Sequence, residues 1–231
     1  TTRKDLAGYY AHIAAMDECL GSLLKTLDDT GLREDTIFVF TSDHGDMLGS
    51  HEQSRKQKPW DESIRVPLLV RYPAAQKRCR KIDAPINTPD LMPTLLGLSG
   101  VPIPKSSQGD DFSALIRGAA APDDNPVLIE CPSPFGEWVR ARGGREYRGV
   151  RTKRYTFVRD LNGPWLLYDN ETDPYQLDNL VGKPEQAALQ MRLDAELQKL
   201  LKKTNDDFQP GQTYIAKWGY TVDASGTAPY H

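Results

Sequence analysis

The sequence predicts an α/β protein in which a partial mixed or parallel sheet with flanking helices is followed by a small antiparallel sheet covered by a C-terminal helix. Three features carry this. A long one-faced helical pattern leads into an unalternating β-branched run. Short alternating strands punctuated by turn residues occupy the second half, and a leucine-striped helical segment follows them.

From Asp5 to Thr30, apolar residues fall at Leu6, Tyr9, Tyr10, Ile13, Met16, Leu20, Leu23, Leu24 and Leu27, the spacing of one helix face, and Gly31 supplies a left-handed stop. Thr36-Ile37-Phe38-Val39-Phe40-Thr41 lacks polar alternation, so it reads as a strand covered on both faces. Ser42-Asp43-His44-Gly45 follows directly, just past the carboxyl end of that strand, where open α/β sheets place their ligands. Asp46 to Ser63 has no period and reads as a loop, and Val66 to Tyr72 as a second strand. Thr88-Pro89-Asp90 starts a helix, with Thr88 as its cap, that runs through Leu91, Met92, Leu95 and Leu96 and closes at Gly97 and Gly100.

Val101 to Pro126 is rich in Pro, Gly, Ser and Asp and reads as a linker, broken by a short apolar turn at Phe112, Leu115 and Ile116. It divides the chain into a first unit over 1–125 and a smaller α+β unit over 126–231. Beyond Val127-Leu128-Ile129-Glu130, short strands are expected at 148–151, 155–158 and 165–168, with turns at Lys153, Asn162-Gly163 and Asp173-Pro174. A helix from about Pro184 to Lys203 presents Leu189, Leu193, Leu197, Leu200 and Leu201 to this sheet. The last stretch, from Thr204, reads as irregular, with Tyr214, Trp218 and Tyr220 as anchors.

The 231 residues carry 29 basic and 32 acidic side chains without runs, which argues against a nucleic-acid partner. Apolar runs stay far below the roughly 18 residues of a membrane span, so a soluble chain is expected, with cytoplasmic and periplasmic or secreted settings both open. Cys19, Cys79 and Cys131 form neither a disulfide scaffold nor a CxxC zinc pattern.

Ser42-Asp43-His44-Gly45-Asp46 gathers two carboxylates and an imidazole at a strand end, suited to a hard cation with a nitrogen ligand. By spacing alone it equally fits a turn in which Asp43 caps the next segment. The following loop adds His51 and the cations Arg55, Lys56 and Lys58. A cation beside a metal serves to hold an oxyanion, and ordinary solvated ion pairs are the competing reading. Trp138, Tyr147 and Trp165 read first as core of the small sheet.

Thr41 to His51, Lys56, and Trp60-Asp61-Glu62-Ser63-Ile64-Arg65-Val66-Pro67-Leu68-Leu69-Val70 together resemble the second half of a sulfatase catalytic domain, within the alkaline phosphatase superfamily. Tyr9-Tyr10-Ala11 with Met16-Asp17 upstream resembles the helix that such enzymes place before this strand. Asp90-Leu91-Met92-Pro93-Thr94-Leu95-Leu96, Gln108-Gly109-Asp110, Val150-Arg151-Thr152, Leu167-Tyr168-Asp169 and Asp173-Pro174 resemble later landmarks of the family.

The resemblance implies that Asp43 and His44 bind a divalent cation, most often Ca2+, with Mg2+ or Mn2+ open because of the histidine. It implies that Lys56 contacts the sulfate group and the leaving oxygen, with Lys58 a rival by register, and it places His51 near substrate. The Cys-x-Pro-x-Arg or Ser-x-Pro-x-Arg signature of the family's formylglycine nucleophile is absent, and Cys131-Pro132-Ser133-Pro134 reads as a turn. The chain is therefore expected to begin partway through a longer sulfatase, with the formylglycine outside it. A small-molecule or carbohydrate sulfate ester is the implied substrate. Phosphate or phosphonate ester hydrolysis and a non-catalytic assembly unit are the alternatives. Sheet edges left uncovered predict a homo-oligomer.

Overall fold

A computed structural model describes residues 3–74 and 79–229. Helix α1 (Arg3–Asp29) leads through a 3-10 turn into strand β1 (Phe38–Thr41); a loop and the single turn α2 (Asp61–Ile64) precede β2 (Leu68–Arg71). Helices α3 (Thr88–Ser99) and α4 (Ser113–Ile116) follow. Then come strands β3 (Val127–Cys131), β4 (Tyr147–Arg151), β5 (Tyr155–Asp160) and β6 (Gly163–Asp169), and helices α5 (Ala187–Thr204) and α6 (Gly211–Trp218). This is the α/β class expected, with an antiparallel sheet of order β3-β4-β5-β6 under a C-terminal helix.

The first sheet differs in detail from its expectation. β1 and β2 pair antiparallel, Val39 opposite Val70, and among the described residues the pair has no third strand beside it. Its strands are therefore half-buried rather than covered on both faces, and Leu69 is exposed. Helix α1 likewise has its predicted apolar stripe, yet none of its residues is buried.

The second sheet obeys the two-residue period of a pleated strand. Tyr147, Val158, Leu166 and Tyr168 point to one face, where they pack with Trp138 and Cys131. Val150, Phe157 and Leu167 point to the other, under Leu193, Leu197 and Leu201 of α5. Each fully buried leucine contributes about 1.5–3 kcal/mol of apolar transfer energy. Trp138 and Tyr147 are core, as the sequence predicts, and the partly buried Trp165 packs against them. Arg148 is buried on the helix side, paired with Asp206 and stacked 4.9 Å over Phe208.

Two local expectations are corrected. The cap of α3 is Asn87, not Thr88: its side chain accepts from the Thr88 amide (2.9 Å), while the Asn87 amide donates to Asp90 (2.7 Å) in a capping box. Asp90 also accepts from the Asp110 amide (2.8 Å), so the predicted linker is tied down at its middle. The last stretch is not wholly irregular, because α6 forms between Pro210 and the left-handed Gly219. Tyr214 of α6 donates to Asp206 (2.9 Å), which fixes that helix against the Arg148 pair.

Candidate functional site

The end of β1 leads straight into the acidic turn. The Gly45 amide donates to the Ser63 carbonyl (2.8 Å), and a Cβ at Gly45 would lie 1.9 Å from the Glu62 carbonyl oxygen, so only glycine lets the two backbones approach this closely. Ser42 Oγ donates to the His44 carbonyl (2.8 Å), and the His44 amide donates to Asp43 Oδ1 (3.0 Å).

His44 Nδ1 lies 2.7 Å from the Gly45 carbonyl, which can only accept, so the proton sits on Nδ1 and the Nε2 lone pair faces outward. That lone pair meets Lys56 Nζ at 2.9 Å and Asp43 Oδ2 at 3.4 Å. Asp43, His44 and Lys56 are thus brought together at one point. Asp43 is exposed; desolvation is the largest single influence and raises its pKa, but His44, the amide bonds and Lys56 together outweigh it and hold the carboxyl below its ordinary value.

Asp46 is used differently. Its Oδ1 accepts from the Leu48 amide (2.9 Å) and the Arg55 amide (3.1 Å), stapling the loop between them. Leu48, His51, Glu52, Arg55 and Gln57 all have positive φ in this loop. Each such non-glycine residue costs on the order of 1–2 kcal/mol, so the surroundings must hold them.

The anchors are visible. Lys58 is buried, donates to the carbonyls of Ser54 (2.8 Å) and Lys56 (3.2 Å), and lies 5.2 Å from the Trp138 ring centre. Burial pulls its pKa below the ordinary lysine value, against the pull of Asp46 and Glu137. Trp60 packs on the first face of the large sheet and donates to Tyr168 Oη (3.3 Å). His51 stacks on Trp60 at 4.9 Å, with Nε2 3.9 Å from Glu62. It is therefore packed against the loop's own anchor, whereas Lys56 opens to a cleft.

That cleft measures about 280 Å³ and is lined by His44, Asp46, Arg55, Lys56 and Gln57 on one side and by Phe135, Gly136, Glu137 and Thr227 on the other. The far wall was not found by sequence reasoning. Gln57 donates from Nε2 to the Phe135 carbonyl (3.0 Å) and accepts at Oε1 from the Phe135 amide (3.3 Å); Arg55 lies 3.4 Å from Glu137. A turn built on Asp223, which accepts from Ser225 and Thr227, brings the end of the chain to this wall, where the Gly136 amide donates to Ser225.

Asp43 Oδ2 and His44 Nε2 lie 3.4 Å apart, about the separation of two neighbouring ligands on one calcium-sized ion, so the pair fits one edge of a cation site once Lys56 Nζ, 2.9 Å from the single Nε2 lone pair, turns away from it. Such an ion takes about six to eight donors. Among the described residues no group of three or more His, Cys, Asp and Glu side chains gathers, so further donors would come from elsewhere. Cys131 is buried and its thiol is pushed up to about 12, chiefly by burial, so Cys131-Pro132 offers no thiolate nucleophile.

The model of the sulfatase family matches residues 1–101. An ulvan-active sulfatase of Formosa agariphila is 45% identical over 99% of this chain and 45% of its own length. An N-acetylglucosamine-6-O-sulfatase of Bacteroides thetaiotaomicron is 31% identical over 87% of this chain and 36% of its own. A solved structure in complex with its substrate D-glucosamine-2-N,6-O-disulfate superposes with a TM-score of 0.72 at 28% identity, over 87% of this chain and 40% of that one. The chain thus spans less than half the length of these relatives. No helix among the described residues is long and apolar enough to cross a membrane.

Proposed function

We propose, on the premise that the chain belongs to the sulfatase family, that the protein hydrolyses a sulfate ester held at the end of β1. The observation that carries this is the cluster of Lys56 Nζ, His44 Nε2 and Asp43 Oδ2, with contacts of 2.9 and 3.4 Å, at the mouth of a cleft. Asp43 and His44 would hold a divalent cation, Ca2+ first and Mg2+ or Mn2+ next by donor chemistry. When bound, that ion supplies positive charge to a sulfuryl oxygen.

The chain's own residues do the rest. The Gly45 carbonyl fixes the His44 tautomer, so that Nε2 stays a lone-pair donor. Lys56 places an ammonium where charge grows on the transferred group and on the departing oxygen. The nucleophile at sulfur would be a formylglycine contributed from outside these residues, whose sequence has no signature for one. The substrate class proposed is a sulfated carbohydrate, supported by the aminosugar sulfates in the names of a relative and of a structural neighbour. The division into units 1–125 and 126–231 belongs to the same proposal, with the cleft lying between them.

Replacing Lys56 with Ala in the active enzyme is expected to lower kcat/KM for 4-nitrophenyl sulfate by about 10²–10³-fold, the cost of removing one stabilising donor. A change below threefold would contradict the assignment. Measuring 4-nitrophenyl phosphonate esters in parallel separates the superfamily's phosphorus chemistry: a higher kcat/KM for them than for the sulfate would replace the sulfatase reading.

A further inference from the structure

We infer that Gln57 is the positioning residue for Lys56, a reading that rests on the role given to Lys56 above. Lys56 is flanked on both sides by residues in the left-handed region, Arg55 at φ 65° and Gln57 at φ 74°. Two such turns around one residue throw its side chain out of the loop toward His44, and the lysine stays aimed only while both neighbours are held. Arg55 is held inside the loop, because its amide donates to Asp46 (3.1 Å) and its carbonyl accepts from the Met47 amide (3.0 Å).

Gln57 is held from outside. Its side-chain amide uses both ends on the backbone of Phe135, 78 residues away, imitating one rung of a β-ladder. The Phe135–Gly136 segment is itself fixed, since the Gly136 amide donates to the Ser225 carbonyl (2.8 Å) and the Phe135 carbonyl accepts from the amide of the buried Trp138 (3.2 Å), closing the 3-10 turn Gly136–Trp138. The aim of Lys56 therefore depends on a wall built by the second half of the chain. A glutamine is the residue that does this: it alone combines a donor and an acceptor on one planar group with the reach to span the gap, whereas Glu would set a carboxylate against the Phe135 carbonyl.

The experiment is a double-mutant cycle in the active enzyme on 4-nitrophenyl sulfate. Gln57→Leu removes the clasp; Gln57→Gly removes it while relieving the left-handed strain, so it covers the case in which the leucine variant does not fold. Both are expected to lower kcat at least tenfold with KM changed less than threefold. In the Lys56→Ala background either change should lower kcat less than twofold, because the residue being aimed is gone. Full kcat in both single variants overturns the proposal, as does a tenfold loss that persists without Lys56, which marks a merely structural role. If Lys56→Ala itself leaves kcat/KM unchanged, the catalytic reading fails first, and that result is distinct from an active Lys56 with indifferent Gln57 variants.

Discussion

Gly45 and Cys131 show how single residues decide what the loop and the strand ends are able to do. A methyl group at Gly45 would collide with the Glu62 carbonyl, so Gly45→Ala is expected to cost about 1–3 kcal/mol, in the range of overpacked sites. Chemical denaturation of the two forms measures it. Cys131, buried with its thiol raised to about 12, should resist maleimide at pH 7, while the exposed Cys19 and Cys79 react. Mass spectrometry of the labelled, folded chain should then show two adducts, and a third would mean that the strand end is open. Asp43 and His44 were legible as polar residues just past a strand end, whereas Lys56 was singled out only by the resemblance, because loop spacing by itself fits solvated ion pairs. The inward packing of His51 and Lys58 was not, since one loop sequence carries three further basic side chains and nothing local says which of them face Trp60 and Trp138. Gln57 was illegible for a plainer reason, as its partner lies 78 residues away.

Among the elements, the four-stranded sheet and α5 followed from two-residue alternation and a leucine stripe, and Leu197 sits fully buried where that stripe predicts. Leu197→Ala should cost about 2–5 kcal/mol. Helix α6 escaped because eight residues between Pro210 and Gly219 give too short a period to read, and what stabilises it is the distant Arg148–Asp206–Tyr214 cluster. That cluster also predicts a pH dependence. Burial raises the Asp206 pKa, but Arg148, the Phe208 amide and Tyr214 outweigh it, so the folded value lies below the unfolded one of about 3.9. The resulting stability is present above the unfolded value and is lost as pH falls through the folded value. Glu130, 3.4 Å from the same guanidinium, is pushed up by burial and works in the opposite direction. Asp206→Asn should therefore lower Tm most at pH 6 and progressively less toward pH 2; a Tm difference constant across that range would contradict the linkage.

Taken whole, the molecule has an uneven surface. Helix α1 leaves Tyr9, Ile13, Met16 and Leu23 exposed along one face, and β2 leaves Leu69 exposed at the small sheet. Apolar faces and sheet edges of this kind associate. Sedimentation equilibrium of the 231-residue chain is expected to show a dimer or larger species; a monomer at tens of micromolar would remove that expectation. The site shares this division of labour, since one wall of the cleft comes from the β1 loop and the other from residues beyond 130. The most direct test of the account is a crystal structure of the enzyme with its nucleophile disabled and an aryl sulfate bound. It predicts a sulfuryl or ester oxygen within about 3 Å of Lys56 Nζ, above the end of β1. A sulfate group bound elsewhere, with Lys56 turned away from it, would contradict it.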